Sequence, residues 1–172
     1  MVGLRPIVEY MTWNFSAVAF DQILSNAAKL RQMSGGQLRV PIVFRAPNGS
    51  ALQVGSQHSH AMEHFYAHVP GLKIVAPATP ADAKGLLKTS IRDDDPVLFF
   101  EHKHLYRRIK GEVPDERYLT PLGEARIHQA GEDITVITWG AMVHTATEAA
   151  AELPDLSVEI IDLRTILPWD KE

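Results

Sequence analysis

Leu72–Glu101, LKIVAPATPADAKGLLKTSIRDDDPVLFFE, holds the reading that decides the fold. Leu72 to Ala76 is a short apolar run of the length and composition of a buried strand. Pro80 then opens a helix, with proline at the first turn where its missing N–H costs nothing. Apolar residues recur at helical spacing to Arg92, Asp93-Asp94-Asp95-Pro96 breaks the helix, and Val97 to Glu101 is a second apolar run. A strand, a helix and a strand in this order form the right-handed unit of a parallel sheet.

The same alternation extends outward. Upstream, Ile7 to Met11 predicts a buried strand and Phe20 to Met33 an amphipathic helix, with Ser34-Gly35-Gly36 ending it. Val40 to Arg45 predicts a strand broken by Pro47-Asn48-Gly49-Ser50. An exposed loop is expected as far as Gln57, then a short helix from His60 to His68. Downstream, His102 to Pro121 is charged and irregular, and a domain boundary is placed near residue 115. Ile134 to Trp139, Ala141 to Leu153 and Val158 to Leu163 then predict one further strand, helix and strand. The fold class is therefore α/β. A mostly parallel sheet with flanking helices spans 1–115, and 116–172 holds a linker and the first part of a second domain. Ligands of such sheets bind outside the carboxyl ends of the strands, where loop 47–57 lies.

Composition narrows the function. The 172 residues are 45% hydrophobic, enough for a sizeable core, and 17 basic against 21 acidic side chains give a net charge of -4. The charges are mixed along the chain, so neither nucleic acid nor a membrane surface is an expected partner. Cysteine is absent, which excludes disulfides, thiolate metal sites and a cysteine nucleophile. No apolar run reaches the roughly 20 residues of a membrane span, and Met1 to Pro6 lacks a signal-peptide pattern. Both ends look abrupt, and a fragment of a longer protein is expected.

Four ordered segments carry a family resemblance: Gly3-Leu4-Arg5-Pro6, Met11-Thr12-Trp13-Asn14-Phe15, Met33-Ser34-Gly35-Gly36 and Pro41 to Gly49. It continues through Gln57-His58-Ser59, Pro70 to Lys73, Asp82 to Leu86, Ile91 to Pro96 and Asp162 to Thr165. The chain resembles the beta subunit of the decarboxylating component of thiamine-diphosphate-dependent 2-oxo acid dehydrogenases, and the Met11-to-Phe15 motif favours pyruvate dehydrogenase. The resemblance implies a transketolase-like pyrimidine-binding domain followed by the start of a transketolase C-terminal domain. It implies an alpha partner in an alpha2-beta2 heterotetramer, which holds the cofactor's diphosphate through magnesium, and a dihydrolipoyl acyltransferase that receives the acyl group. Location would be cytoplasm in a bacterium, and mitochondrial matrix or plastid in a eukaryote. The glutamate that activates the aminopyrimidine in relatives would precede Met1, and Glu9 does not match its motif, so the isolated chain is expected to lack turnover.

Within that resemblance His58 matches the active-site histidine, suited by its neutral-range pKa to holding or moving a proton during lipoyl reduction. A lone histidine read without the motif is more often structural. Phe15 matches the aromatic residue that packs on the pyrimidine ring, and Met11 could line the same pocket; ordinary core packing is the plainer reading of both. The resemblance also implies a structural potassium held by the carbonyls of Ile42, Ser90 and Ile91 with Asp93 and Asp95, where a solvated turn is the local alternative. His60, His64 and His68 at spacing four could share one helix face as a transition-metal site, but without a His-Glu-x-x-His pattern. Arg107 and Arg108 have a solvated face as their commonest fate, with the alpha subunit or a substrate carboxylate as other partners. The alternatives to pyruvate are branched-chain 2-oxo acid or acetoin dehydrogenase, or an inactive truncated interaction module.

Overall fold

The structure is a computed structural model and describes residues 3–51 and 53–172. Met1 and Val2, the start of the stretch read for a signal peptide, and Leu52 of the expected loop lie outside them. Eight strands form two sheets: β1 (Ile7–Glu9), β2 (Val43–Asn48), β3 (Lys73–Val75), β4 (Val97–His102), β5 (Arg126–Gln129), β6 (Ile134–Thr138), β7 (Val158–Asp162) and β8 (Thr165–Leu167). The first sheet has the order β1-β2-β4-β3-β8, and the second the order β5-β7-β6. The helices are α1 (Leu30–Met33), α2 (Glu63–Ala67), α3 (Pro80–Arg92), α4 (Leu105–Arg108) and α5 (Ala141–Ala151).

The central strands are buried on both faces, and period-two alternation sorts their side chains. Phe44, Ala46, Ile74, Leu98 and Phe100 meet Trp13, Ile23 and Tyr66 on one face. Val43, Val75, Val97 and Phe99 meet Leu86 of α3 on the other. The predicted helix Pro80 to Arg92 is found with those bounds; the Thr79 Oγ1 accepts the Asp82 N–H at 3.2 Å and Pro80 opens the first turn. A third cluster, Val143, Val158 and Ile160 with Ala78, joins α5 to one face of the second sheet.

Four expectations need correction. The strand expected over 40–45 runs instead from Val43 through Pro47 to Asn48. Proline is tolerated there because its missing N–H faces the β1 side, where pairing has ended: Tyr10 donates to the Arg45 carbonyl, and the Pro47 carbonyl takes the Thr12 hydroxyl instead. The single helix expected over 20–33 is a composite. It has a 3₁₀ stretch at Trp13–Ala19, a π-type stretch at Gln22–Ala27 where Ala28 N–H reaches the Ile23 carbonyl, and then α1. It breaks where the Ala28 carbonyl lies so close to Gly71 that a Cβ there would sit 2.0 Å from the oxygen. The linker contains α4. The second domain also has two strands more than expected: β5 pairs antiparallel with β7, and β8 returns to pair antiparallel with β3 of the first sheet. Both sheets are therefore mixed.

The Ser34-Gly35-Gly36 stop forms as expected. Gly36 N–H bonds the Arg31 carbonyl at 2.8 Å and Gly35 N–H the Gln32 carbonyl at 2.9 Å, with Gly35 at φ +63°. A Cβ on Gly35 meets nothing, so Gly35→Ala isolates the conformational cost alone. It is expected to lower the unfolding free energy by about 1 kcal/mol in urea denaturation, and an unchanged midpoint would show that the left-handed cap is not strained.

Candidate functional site

The loop that follows β2 and the segment that follows β1 meet at the carboxyl ends of the parallel strands. Gly49 turns the chain at φ +72°, where a Cβ would lie 2.3 Å from the His102 imidazole, so only glycine lets the loop pass that ring. Its N–H bonds the His60 carbonyl at 3.0 Å. Gly55, at φ +81°, accepts from the His58 N–H and the Ser59 hydroxyl. These turns hold the short 3₁₀ segment Ser56–His58.

From the β1 side, Asn14 ties the two segments together. Its Nδ2 donates to Thr12 Oγ1 at 2.7 Å, and its Oδ1 accepts the His60 N–H at 3.0 Å and contacts His60 Nδ1. Trp13 is fully buried beneath this link, which leaves Met11 and Phe15 outward on either side of it. The Phe15 and His58 rings meet edge to face with centroids 5.3 Å apart. Phe15 remains 42% exposed, while His58 Nδ1 is buried with no hydrogen-bond partner among the described residues. A half-open aromatic face beside an orphaned buried nitrogen fits an aromatic heterocycle carrying its own hydrogen-bonding atoms.

Met11, 82% exposed, does not join that pair. It lines a separate cavity of about 290 Å³ with Val54, Lys103, His104, Arg107 and Arg108. Lys103 connects the two, its Nζ donating to the His58 carbonyl. Asn14 and Lys103 were not singled out from the sequence as site residues, and His60 was read only as one of three histidines at metal-ligand spacing. Asn14 sits inside the Met11-to-Phe15 motif, a signal that was at hand; Lys103 lay in a tract whose charges resembled a linker.

The expected potassium ligands come together at the far edge of α3, but their oxygens are engaged. Lys73 Nζ binds both Asp93 oxygens at 2.8 and 2.6 Å, and Arg31 pairs with Asp95. Arg5 Nη1 donates to the carbonyls of Asp93 and Ile91 at 2.7 and 3.2 Å, while Asp94 takes Arg5 and Arg39. The Ile42 carbonyl accepts from Val97 and the Ser90 carbonyl from Asp93. Four cationic side chains already face three carboxylates, a poor fit for an added cation. The guanidinium groups beside Asp94 hold its carboxyl below the ordinary range. His60, His64 and His68 are not on one helix face, because α2 begins at Glu63 and His60 is bound to Asn14. Among the described residues no cluster of three or more metal-ligating side chains forms.

A second polar group lies behind the sheet edge. Arg45 Nη2 binds both Glu101 oxygens at 2.7 Å, Arg45 Nη1 binds Glu9 at 2.7 Å, and the Tyr106 hydroxyl donates to Glu101. Burial, together with the Glu101 carboxylate, pushes the Tyr106 phenol well above its ordinary value, so it acts as a permanent donor.

Residues 1–109 match the model for the transketolase pyrimidine binding domain, and residues 123–172 that for the transketolase C-terminal domain. Pyruvate dehydrogenase E1 component subunit beta of Rhizobium meliloti is 53% identical over 99% of this chain and 37% of its own length. 2-Oxoisovalerate dehydrogenase subunit beta of Bacillus subtilis is 51% identical over 100% of this chain and 53% of its own. Acetoin:2,6-dichlorophenolindophenol oxidoreductase subunit beta of Cupriavidus necator is 49% identical over 99% and 51%. The chain thus spans about half the length of these relatives, or less. A solved structure titled split gene transketolase, inactive beta4 tetramer, superposes with a TM-score of 0.77 at 20% identity, covering 98% of this chain and 52% of that one.

Proposed function

Since the chain belongs to the transketolase pyrimidine-binding domain family, we propose that it is part of the beta subunit of a thiamine-diphosphate-dependent 2-oxo acid dehydrogenase, with pyruvate as substrate. The observation that carries this is the Phe15 ring set edge-on to His58, whose Nδ1 is buried and has no hydrogen-bond partner among the described residues. Names among the relatives divide between pyruvate, 2-oxoisovalerate and acetoin. The Met11-to-Phe15 motif favours the first. A pyrimidine-binding unit over 1–115 followed by the start of a second domain is the organisation we infer.

Bound thiamine diphosphate supplies a nucleophilic carbon and an electron sink for decarboxylation. This chain's share is to orient and to handle protons. Phe15 offers a flat apolar face to the aminopyrimidine, and Asn14, through Thr12 and His60, fixes the backbone on both sides of that face. The His58 backbone is held by Gly55 at its N–H and Lys103 at its carbonyl, and its imidazole, packed against the Phe15 ring, would hold a proton for the acyl acceptor. The diphosphate and its magnesium would be held by an alpha partner. A dihydrolipoyl acyltransferase would receive the acyl group, and the whole would assemble as an alpha2-beta2 heterotetramer.

The test is calorimetric titration of thiamine diphosphate and magnesium into the full-length beta subunit assembled with its alpha partner. Phe15→Ala is expected to weaken cofactor binding by about 1 kcal/mol, roughly fivefold. His58→Ala is expected to leave binding nearly unchanged while lowering acyl transfer to lipoyl groups by about 10²-fold or more. Normal transfer by the His58 variant would remove it from the chemistry. Absence of cofactor binding by the wild-type assembly would remove the assignment itself. Comparing kcat/KM for pyruvate with that for 2-oxoisovalerate decides the substrate.

A further inference from the structure

Beside the Phe15–His58 pair lies the cavity that the sequence did not reveal. Its walls bring Met11 and Val54 together with Lys103, His104, Arg107 and Arg108, and among the described residues no carboxylate lines it. These residues meet because β2 and β4 are neighbours in register to Asn48 and His102, so the chains leaving both strands emerge side by side. Lys103 and His104 leave β4, Val54 belongs to the loop after β2, and Met11 reaches over from the end of β1.

The cavity's charges are not neutralised from within. Among the described residues neither Arg107 nor Arg108 has an ion-pair partner, although ten ion pairs form elsewhere. Glu101, near the end of β4, is withdrawn by Arg45 and the Tyr106 hydroxyl. Burial pulls the Lys103 ammonium below its ordinary value, so positive charge gathers here at an energetic cost that a bound anion would relieve. Planar guanidinium groups suit a planar carboxylate through paired N–H donors. The exposed Met11 and Val54 side chains provide apolar contact at the opposite wall.

We propose that this cavity is an anion-binding subsite that takes a small carboxylate with a short apolar chain, the class to which a 2-oxo acid belongs. Arg107 and Arg108 receive the carboxylate, with His104 beside them. Met11 and Val54 cover the apolar part. Lys103, which donates to the His58 carbonyl, links the subsite to the segment that carries His58. The naming of a 2-oxo acid rests on the proposed function; the presence of an anion subsite does not.

The experiment uses this chain alone with ¹³C-methyl-labelled methionine, the Met11 resonance being assigned with Met11→Leu, and reads binding by NMR without any turnover. Pyruvate, its neutral methyl ester and inorganic phosphate are titrated separately. Pyruvate is expected to shift the Met11 methyl saturably, the ester to leave it in place, and phosphate to bind about tenfold more weakly because it cannot cover Met11 and Val54. Arg107→Gln with Arg108→Gln is expected to weaken pyruvate binding about tenfold or more while the circular dichroism spectrum stays that of the wild type. No shift with pyruvate, an equal response to the ester, or an unaltered affinity in the double variant would overturn the subsite. Equal binding of phosphate and pyruvate would overturn its assignment to a carboxylate. Failure of the assembled enzyme to bind thiamine diphosphate, measured separately, would bear on the proposed function and leave this result readable.

Discussion

Trp13→Ala is expected to lower the unfolding free energy by about 3–5 kcal/mol, a large share of the roughly 5–15 kcal/mol that holds a domain folded. Trp13 is fully buried in the larger core cluster. Its ring stacks on Phe100 at 4.0 Å and leans on Tyr66 at 5.6 Å and Tyr10 at 5.7 Å, while its Nε1–H donates to the Phe99 carbonyl at 3.2 Å. Truncation empties the space between the 3₁₀ segment and β4 and removes that hydrogen bond. Because these rings are all rigid, the cavity cannot collapse cheaply. Urea denaturation followed by circular dichroism measures the loss, and Trp13→Phe should recover most of it. A loss below about 1 kcal/mol would mean that the site tolerates a void, which packing of this density does not predict. The consequence reaches the functional site, since Met11 and Phe15 flank Trp13 and take their outward positions from its anchoring.

That anchoring also marks what the sequence could and could not disclose. Short apolar runs and a proline at the first turn of the helix are local signals, and they placed β3, α3 and β4 closely. β5 and β8 escaped because neither carries such a signal. Arg126–Gln129 has one aliphatic residue, and Thr165–Leu167 is three residues long, so both are strands only because a neighbour's edge is there to be paired. The composite helix was misread for the converse reason: Phe20 to Met33 has helical periodicity, yet the approach of Ala28 to Gly71 interrupts it from outside. The site divides the same way. Phe15 and His58 were legible only through the motifs around them, since nothing local distinguishes either from a core residue. The basic cavity was legible only in its parts, Met11 as a pocket residue and Arg107 and Arg108 as possible carboxylate partners, because sheet order rather than spacing brings them together.

Asp162 gives the clearest pH dependence. It ends β7, is fully buried, and stands in a cluster that joins the second sheet to α3. Its Oδ1 accepts the Arg164 N–H at 3.1 Å and its Oδ2 lies 3.4 Å from Arg126 Nη2. Arg126 bonds Asp82 more closely, at 3.0 Å, and Arg164 also reaches Asp82, at 3.4 Å. Two arginines thus serve two carboxylates, with the better geometry on Asp82. Burial dominates at Asp162 and pushes its carboxyl up to about 6 from an ordinary 3.8, with the neighbouring Asp82 charge adding to the rise and Arg126 and Arg164 opposing it. A carboxyl whose pKa is higher in the folded state binds its proton more tightly there. Its contribution to stability is therefore full below about pH 4 and is lost as pH rises through about 6. The shift corresponds to about 3 kcal/mol between those limits. Asp162→Asn cannot titrate, so the difference in unfolding free energy between wild type and variant isolates this one group from carboxyls such as Asp94 and Asp170, which are shifted downward and act in the opposite sense. Measured by urea denaturation, wild type minus variant should fall by about 2–3 kcal/mol from about pH 4 to about pH 7, most steeply near pH 5, midway between the unfolded and folded values. Parallel curves would mean that Arg126 and Arg164 fully offset the cost of burial. The charge on Asp162 would then fasten the second sheet to α3 at neutral pH, rather than being a cost that the interface carries.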